Sequence, residues 1–158
     1  MNTTAAPTAP ATAPAARHRR RRRAGVAALL VAVALVATGC LDTIAHNHIN
    51  TSRRTAGVRE LPRHAWLDGV AQAHAQKMAN ECRTYHSSPA LWLMPGYSAG
   101  AENVGAGPTV DAVHTAFMRS PQHRGNILNA AHKVSGVGVV ERPECGGNKV
   151  FVVHLFNG

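Results

Sequence analysis

The sequence predicts an α+β domain, helices packed on a small antiparallel sheet. Three observations predict it: apolar residues recur at helical spacing through the first two-thirds of the chain, β-branched and aromatic runs appear only in the last third, and those runs are separated by a turn-forming stretch. With 158 residues and 45% hydrophobic content the chain is long enough for one domain and too short for two of ordinary size.

Residues 1–39 read as an export signal with an N-terminal extension, and 40–158 as the domain. Met1 to Ala16 consist mainly of Ala, Pro and Thr with no periodic apolar face, a composition expected to stay disordered. The basic run Arg17 to Arg23 precedes Ala24 to Thr38, an uncharged stretch of 15 residues. As helix that stretch would extend roughly 22 Å, short of the roughly 30 Å hydrocarbon core of a bilayer. Charged, apolar and small-residue regions in this order form an export signal. Its end, Ala37-Thr38-Gly39-Cys40, resembles the cleavage box of bacterial lipoproteins, in which the Cys is lipidated; the usual Leu is replaced by Ala37. Lipidation at Cys40, ordinary cleavage nearby and an uncleaved anchor all place the domain outside the cytoplasm.

A first helix is expected over Asp42 to Arg54, from Ile44, Ala45 and Ile49, with Gly57 as its stop. Leu67, Val70, Ala71, His74, Ala75 and Met78 give the clearest stripe and predict a helix over Ala65 to Asn80. Between Trp92 and Pro108 lies a glycine-rich segment whose one acid is Glu102; its glycines suit sharp bends and close approach beneath another element. A carboxylate set among Ala99, Ala101 and Val104 calls for a partner, because burying it alone costs several kcal/mol. After Pro108, Thr109 reads as the N-cap of a third helix with Val110, Val113 and Phe117 facing inward, and Ser120-Pro121 opens a fresh helical turn toward Ile127 and Leu128. Val134 to Val140 and Val150 to Phe156, separated by Pro143 to Asn148, read as an antiparallel hairpin.

Lys and Arg number 17 against 8 Asp and Glu, a formal +9, but six of the cations lie in Arg17 to Arg23. From Cys40 onward 11 basic residues face 8 acidic ones, about +3, so the high pI is not a nucleic-acid footprint. An aromatic content of 4% also argues against base-stacking platforms. Setting Cys40 aside leaves Cys82 and Cys145, which in an oxidising space form a disulfide and otherwise remain two buried thiols. Nine histidines fall after Gly39. His46, His48, His64 and His132 read as solvent residues near helix ends, whereas His86, His114 and His123 stand out by neighbourhood.

Asn50-Thr51-Ser52-Arg53, Leu61, the Leu67 to Met78 helix, Cys82 with His86-Ser87, Ala101-Glu102-Asn103-Val104, Ser120 to Leu128 and Val137-Gly138-Val139 together resemble a bacterial CAP domain, the superfamily of cysteine-rich secretory proteins, antigen 5 and plant pathogenesis-related proteins. The resemblance covers about Asp42 to Phe156. It implies an α-β-α sandwich with a central cleft lined by two histidines and two glutamates that in some members bind zinc or another divalent metal. Carried over by motif, the cleft residues are His86, Glu102 and His123. The second glutamate falls at Ser120, a departure that puts four-residue metal binding in doubt. Ser120, His114 and Asn103 are the expected neighbours of the cleft.

His86, His123 and Glu102 would give a divalent ion such as zinc two nitrogens and one oxygen, with water as fourth ligand. In the alternative, Glu102 orients the histidines in a hydrogen-bonded cluster and no metal binds. The expected function is a non-enzymatic exported binding module for a small or lipid ligand, held at the bacterial membrane through a lipid on Cys40. A metal-assisted hydrolase and a structural or adhesive envelope protein are the alternatives.

Overall fold

The computed structural model describes Met1, residues 40–147 and residues 149–158. The expected export signal, apart from Met1, lies outside the described residues. Among the described residues no helix is long and apolar enough to cross a membrane.

Residues 40–55 are helical (α1). Ala45, Ile49 and Arg53 form its buried stripe, and the chain leaves it through Gly57 at φ +71°, a conformation L side chains rarely adopt. Helix α2 spans Ala65–Asn80 and buries Leu67, Ala71, His74, Ala75 and Met78, the predicted stripe with the exception of Val70. Helix α3, Val110–Arg119, is capped by the Thr109 side chain, which accepts from the Ala112 N–H. Helix α4, Pro121–Leu128, follows after Ser120, at once the C-cap of α3 and the N-cap of α4.

Strands β1 (Gly100–Gly107), β2 (Val134–Glu141) and β3 (Val150–Asn157) form an antiparallel sheet in the order β1-β3-β2. The hairpin of β2 and β3 is as expected. Strand β1 is the difference: the second half of the glycine-rich segment pairs with β3, from Gly100 opposite Asn157 to Gly107 opposite Val150. The expected close approach occurs within it, since a Cβ on Gly105 would stand 2.9 Å from the Phe117 ring.

Alternation along β3 separates two cores. Val150, Val152 and Phe156 pack with Ala45 and Ile49 of α1, Val113 and Phe117 of α3 and Ile127 of α4. Phe151, Val153 and Leu155 face the other way, against Leu67, Ala71, Ala75 and Met78 of α2. The result is the three-layer α-β-α sandwich. Helix α2 lies unusually close to β2, because a Cβ on Gly136 or Gly138 would run into the backbone at Leu67 or at Ala71 and Gln72.

The outer edge of β2 is covered. The Val137 N–H donates to Asp68 Oδ1 (2.9 Å), and the Val139 N–H is shared by Asp42 Oδ1 (2.8 Å) and Gln72 Oε1 (3.0 Å). The Ser135 N–H donates to the Pro62 carbonyl (3.0 Å). Cys82 and Cys145 are joined by a disulfide with a Cα–Cα distance of 5.2 Å, tying the segment after α2 to the β2–β3 connection. Of the histidines expected at the surface, His132 is buried and His46, His48 and His64 are half-buried. His132 is 1% exposed and stacks on Phe156 at 5.2 Å, and His48 is half-buried against His114.

Candidate functional site

Glu102 lies on β1, on the face toward α2, and its side chain is 3% exposed. Three donors meet its carboxylate: the His86 Nδ1–H at 2.8 Å and the Ser87 backbone N–H at 2.9 Å on Oε2, and the Ser87 hydroxyl at 2.6 Å on Oε1. Charge-assisted bonds of this kind compensate the burial of a carboxylate. Behind the clamp stands His74 of α2. Its Nε2–H donates to the Tyr85 carbonyl at 2.7 Å, fixing the segment that carries His86 and Ser87, and the same nitrogen is 3.9 Å from Glu102 Oε1. Because an ionised carboxylate only accepts, the proton of the His86–Glu102 bond sits on Nδ1, leaving Nε2 of the half-exposed ring for a ligand.

His123 belongs to the other side of β1. Its ring packs on Phe117 at 5.0 Å between centroids, and its backbone carbonyl accepts from Asn103 Nδ2 at 3.1 Å. Burial first, and then the charge of His86, hold its imidazole below the ordinary histidine range. Its neighbours Gln122 and Asn126 line a hollow of about 430 Å3 at the β1 edge, together with His86, Ser87, Trp92 and Glu102. The Asn126 Nδ2–H donates to Asn103 Oδ1 at 2.8 Å, so Asn103 orients α4 beside the hollow.

His86 and Glu102 therefore meet directly, with His123 alongside and turned toward Phe117. Of the expected neighbours, Asn103 alone serves the site in this way. The Ser120 hydroxyl accepts from the His123 N–H as a helix cap, and His114 bonds Ser52 on the far side of the sheet. His114 is thus corrected as a cleft residue: it lies on α3 between α1 and the sheet, not at the β1 edge. The three expected metal ligands His86, Glu102 and His123 are not disposed as one set among the described residues. Three of the lone-pair positions of Glu102 are taken by His86 and Ser87, the coordinating nitrogen nearest Glu102 carries a proton, and among the described residues no group of three or more His, Cys, Asp or Glu is disposed to hold a metal ion. The donor set fits a hydrogen-bonded cluster, with Glu102 orienting His86.

Ser87, given no role in the sequence beyond its place in the His86-Ser87 motif, supplies two of the three donors to Glu102. A second feature was also missed. A groove of about 780 Å3 runs along the outer face of α2, between Trp66, Val70, Ala73 and Lys77 on one side and Tyr85 and Leu91 on the other, and reaches His86 and Ser87. Its sequence signal is a second stripe on α2, Trp66, Gly69, Val70, Ala73 and Lys77, at steps of three and four beside the core stripe.

The chain is thus a three-layer, disulfide-linked sandwich with a buried carboxylate clamped by a histidine and a serine at the open edge of its sheet. The sequence matches the CAP (Cysteine-rich secretory protein) family over residues 46–156, and the chain belongs to that family. Among solved structures it is similar to an outer surface protein of Borrelia burgdorferi (20% identity, TM-score 0.60, 73% of this chain and 90% of that one). It is also similar to an extracellular protein containing an SCP domain from Bacillus anthracis (22% identity, TM-score 0.64), covering 76% of this chain and 41% of that longer chain. A venom allergen-like protein of Schistosoma mansoni aligns at 12% identity and TM-score 0.60, over 74% of this chain and 88% of that one. These likenesses are of fold. A comparison with curated proteins finds no match.

Proposed function

We propose that the chain is an exported, non-enzymatic binding module, held at the membrane by a lipid on Cys40, whose polar hollow and adjoining apolar groove together take one small amphipathic ligand. The observation that carries this reading is that the two cavities share His86 and Ser87. An apolar body would lie along Trp66, Val70 and Leu91 while a polar group reaches His86 Nε2. Lys77 is the sole charged side chain lining the groove, so the groove itself adds no acid to repel an anionic group.

Export is supported by the signal-like leader, by the Cys82–Cys145 disulfide, which suits an oxidising compartment, and by the likeness to an extracellular protein of Bacillus anthracis and an outer surface protein of Borrelia burgdorferi. Cys40 is exposed and unbridged, as an anchoring cysteine must be. A hydrolase reading finds less support, because the Ser87 hydroxyl is committed to Glu102 rather than to His86.

Native mass spectrometry of the protein prepared from its own host tests the binding reading. We expect a bound small molecule that Trp66→Ala weakens at least tenfold in a titration with lauric acid or dodecanol. Absence of any bound species, together with no saturable uptake of either probe, would transfer the weight to a structural or adhesive role. Cys40→Ser is expected to move the protein from the membrane fraction to the soluble fraction.

A further inference from the structure

Four histidines from three elements gather on the face of the sheet away from Glu102. His154 of β3 is 1% exposed; its ring lies 5.1 Å from Phe117, 6.2 Å from Phe156 and 6.5 Å from His114. His114 of α3 stacks on His48 of α1 at 5.0 Å with an interplanar angle of 18°, and its Nε2 bonds Ser52 Oγ of α1 at 2.8 Å. His46 of α1 donates from Nε2 to the Leu61 carbonyl at 3.1 Å. Nδ1 of His154 and Nδ1 of His114 are both buried without a hydrogen-bond partner. The row crosses a largely apolar layer, and a proton added to His114 or His154 would have no buried acid beside it.

We propose that the row His48–His114–His154 is an acid-sensing latch: its uncharged form holds α1 and α3 against the sheet, and its protonation releases that layer and with it the α4 wall of the ligand hollow. The inference concerns regulation of the site described under Proposed function and rests on that reading only for its biological use.

The charged and titratable groups facing His154 fix the sign. From α1 they are His46 and His48, from α3 His114, and from α4 His123. Across the sheet the partners are Asn103 on β1 and Val137 on β2, neither of them titratable, while Glu102 and its partner Leu155 point to the opposite face. Asp111 reaches His48 and His114, and it is 74% exposed and in contact with His48 Nε2 at 2.8 Å, while His46 is reached by Asp68 and Glu60 with Arg63 opposing them. No counter-charge is therefore buried beside His154. Burial first, then the neighbouring imidazoles, push His154 down to about 3 and His114 down to about 4. Opening the layer restores ordinary histidines, which take up protons below pH ~6.5. Two such groups make the opening equilibrium rise by up to about 100-fold per pH unit, until the folded values are reached.

The opening is directed at the hollow. Ser120 joins α3 to α4, and α4 carries Gln122 and Asn126 into the hollow wall. The opposite layer is held by other means, namely the Glu102 clamp, the disulfide and the seating of α2 on Gly136 and Gly138.

Hydrogen–deuterium exchange of the full chain, disulfide intact and without ligand, tests the latch. Between pH 7 and pH 5, after correction for intrinsic rates, amides of α1 and α3 should lose at least tenfold more protection than those of α2. In His114→Gln/His154→Leu this differential loss should fall to less than threefold. Nitrogen-15 imidazole spectra of the unaltered protein provide a reading that does not depend on the variant folding: His114 and His154 should stay neutral until α3 protection is lost. Titration of either ring near the ordinary histidine value with α3 protection intact, or an unchanged differential loss in the folded variant, would overturn the proposal. Because no ligand enters these measurements, failure of the binding reading would leave them unaffected.

Discussion

Glu102 shows how one side chain can organise a site from the least accessible position in it. Its carboxylate is nearly sealed from solvent, yet it accepts from a side chain and a backbone amide in a loop 15 residues away. Replacing it with Ala removes the acceptor of the Ser87 amide and hydroxyl and frees the half-exposed His86 ring. We expect Glu102→Ala to lose about 1–3 kcal/mol in urea unfolding. Asp42 works the other way. Its Oδ1 accepts from Val139, but burial, opposed by that bond and by Arg63, raises its pKa to about 6. A folded value above the unfolded 3.8 means a contribution that is fully present below pH ~4 and lost as the pH rises through 6. Asp42→Asn keeps the acceptor and removes the charge. Relative to the native chain it should be more stable by about 1 kcal/mol at pH 7.5, the rest of the shift being screened because the group is partly exposed, and the gain should vanish near pH 4. Melting curves at the two pH values check it.

At the scale of elements, contact distance is the controlling quantity. Helix α2 sits so close to β2 that even a methyl group at Gly138 meets the backbone of Ala71 and Gln72. Gly138→Ala should therefore destabilise by about 1–3 kcal/mol as the helix is pushed outward, seen as a lower urea midpoint with an unchanged slope. The helices were legible in the sequence because their apolar residues repeat at the period of the helix and their starts carry Thr109 and Ser120. Strand β1 was not legible. Its Gly-Ala-Glu-Asn-Val-Gly-Ala-Gly sequence has one β-branched residue, and its extended form comes from pairing with β3 rather than from local preference. The site was legible in part for a related reason. His86 and Glu102 stood out as polar residues in special surroundings, whereas the service of Ser87 and His74 depends on a loop path that no periodicity reports. On the opposite face His114 stood out but was assigned to the cleft, and His46 and His48 were expected in solvent, because a short polar-flanked stretch looks the same whether its imidazole is covered or open; packing of α1 and α3 over the sheet decides it.

For the whole molecule, the two faces of the sheet have different chemistry. One buries a compensated acid and the other buries uncompensated imidazoles. His132 extends the second group: both of its ring nitrogens lack partners, and burial followed by the charge of Arg53 pushes it down to about 4. With His114 at about 4 and His154 at about 3, these rings bind fewer protons in the folded state than in the unfolded chain between pH ~6.5 and those values. The stability these groups supply is complete above pH ~6.5 and is lost as the pH falls toward 4. Calorimetry should give a Tm at pH 4.5 about 10 °C or more below that at pH 7. A flat profile over that interval would mean the rings are reached by solvent.

The covering of β2 by Asp42, Asp68, Gln72 and Pro62 has a colloidal consequence. That rim presents no run of vacant amides on which a neighbouring copy could extend the ladder. Ladder growth from one copy to the next is thus blocked on the β2 side of the sheet.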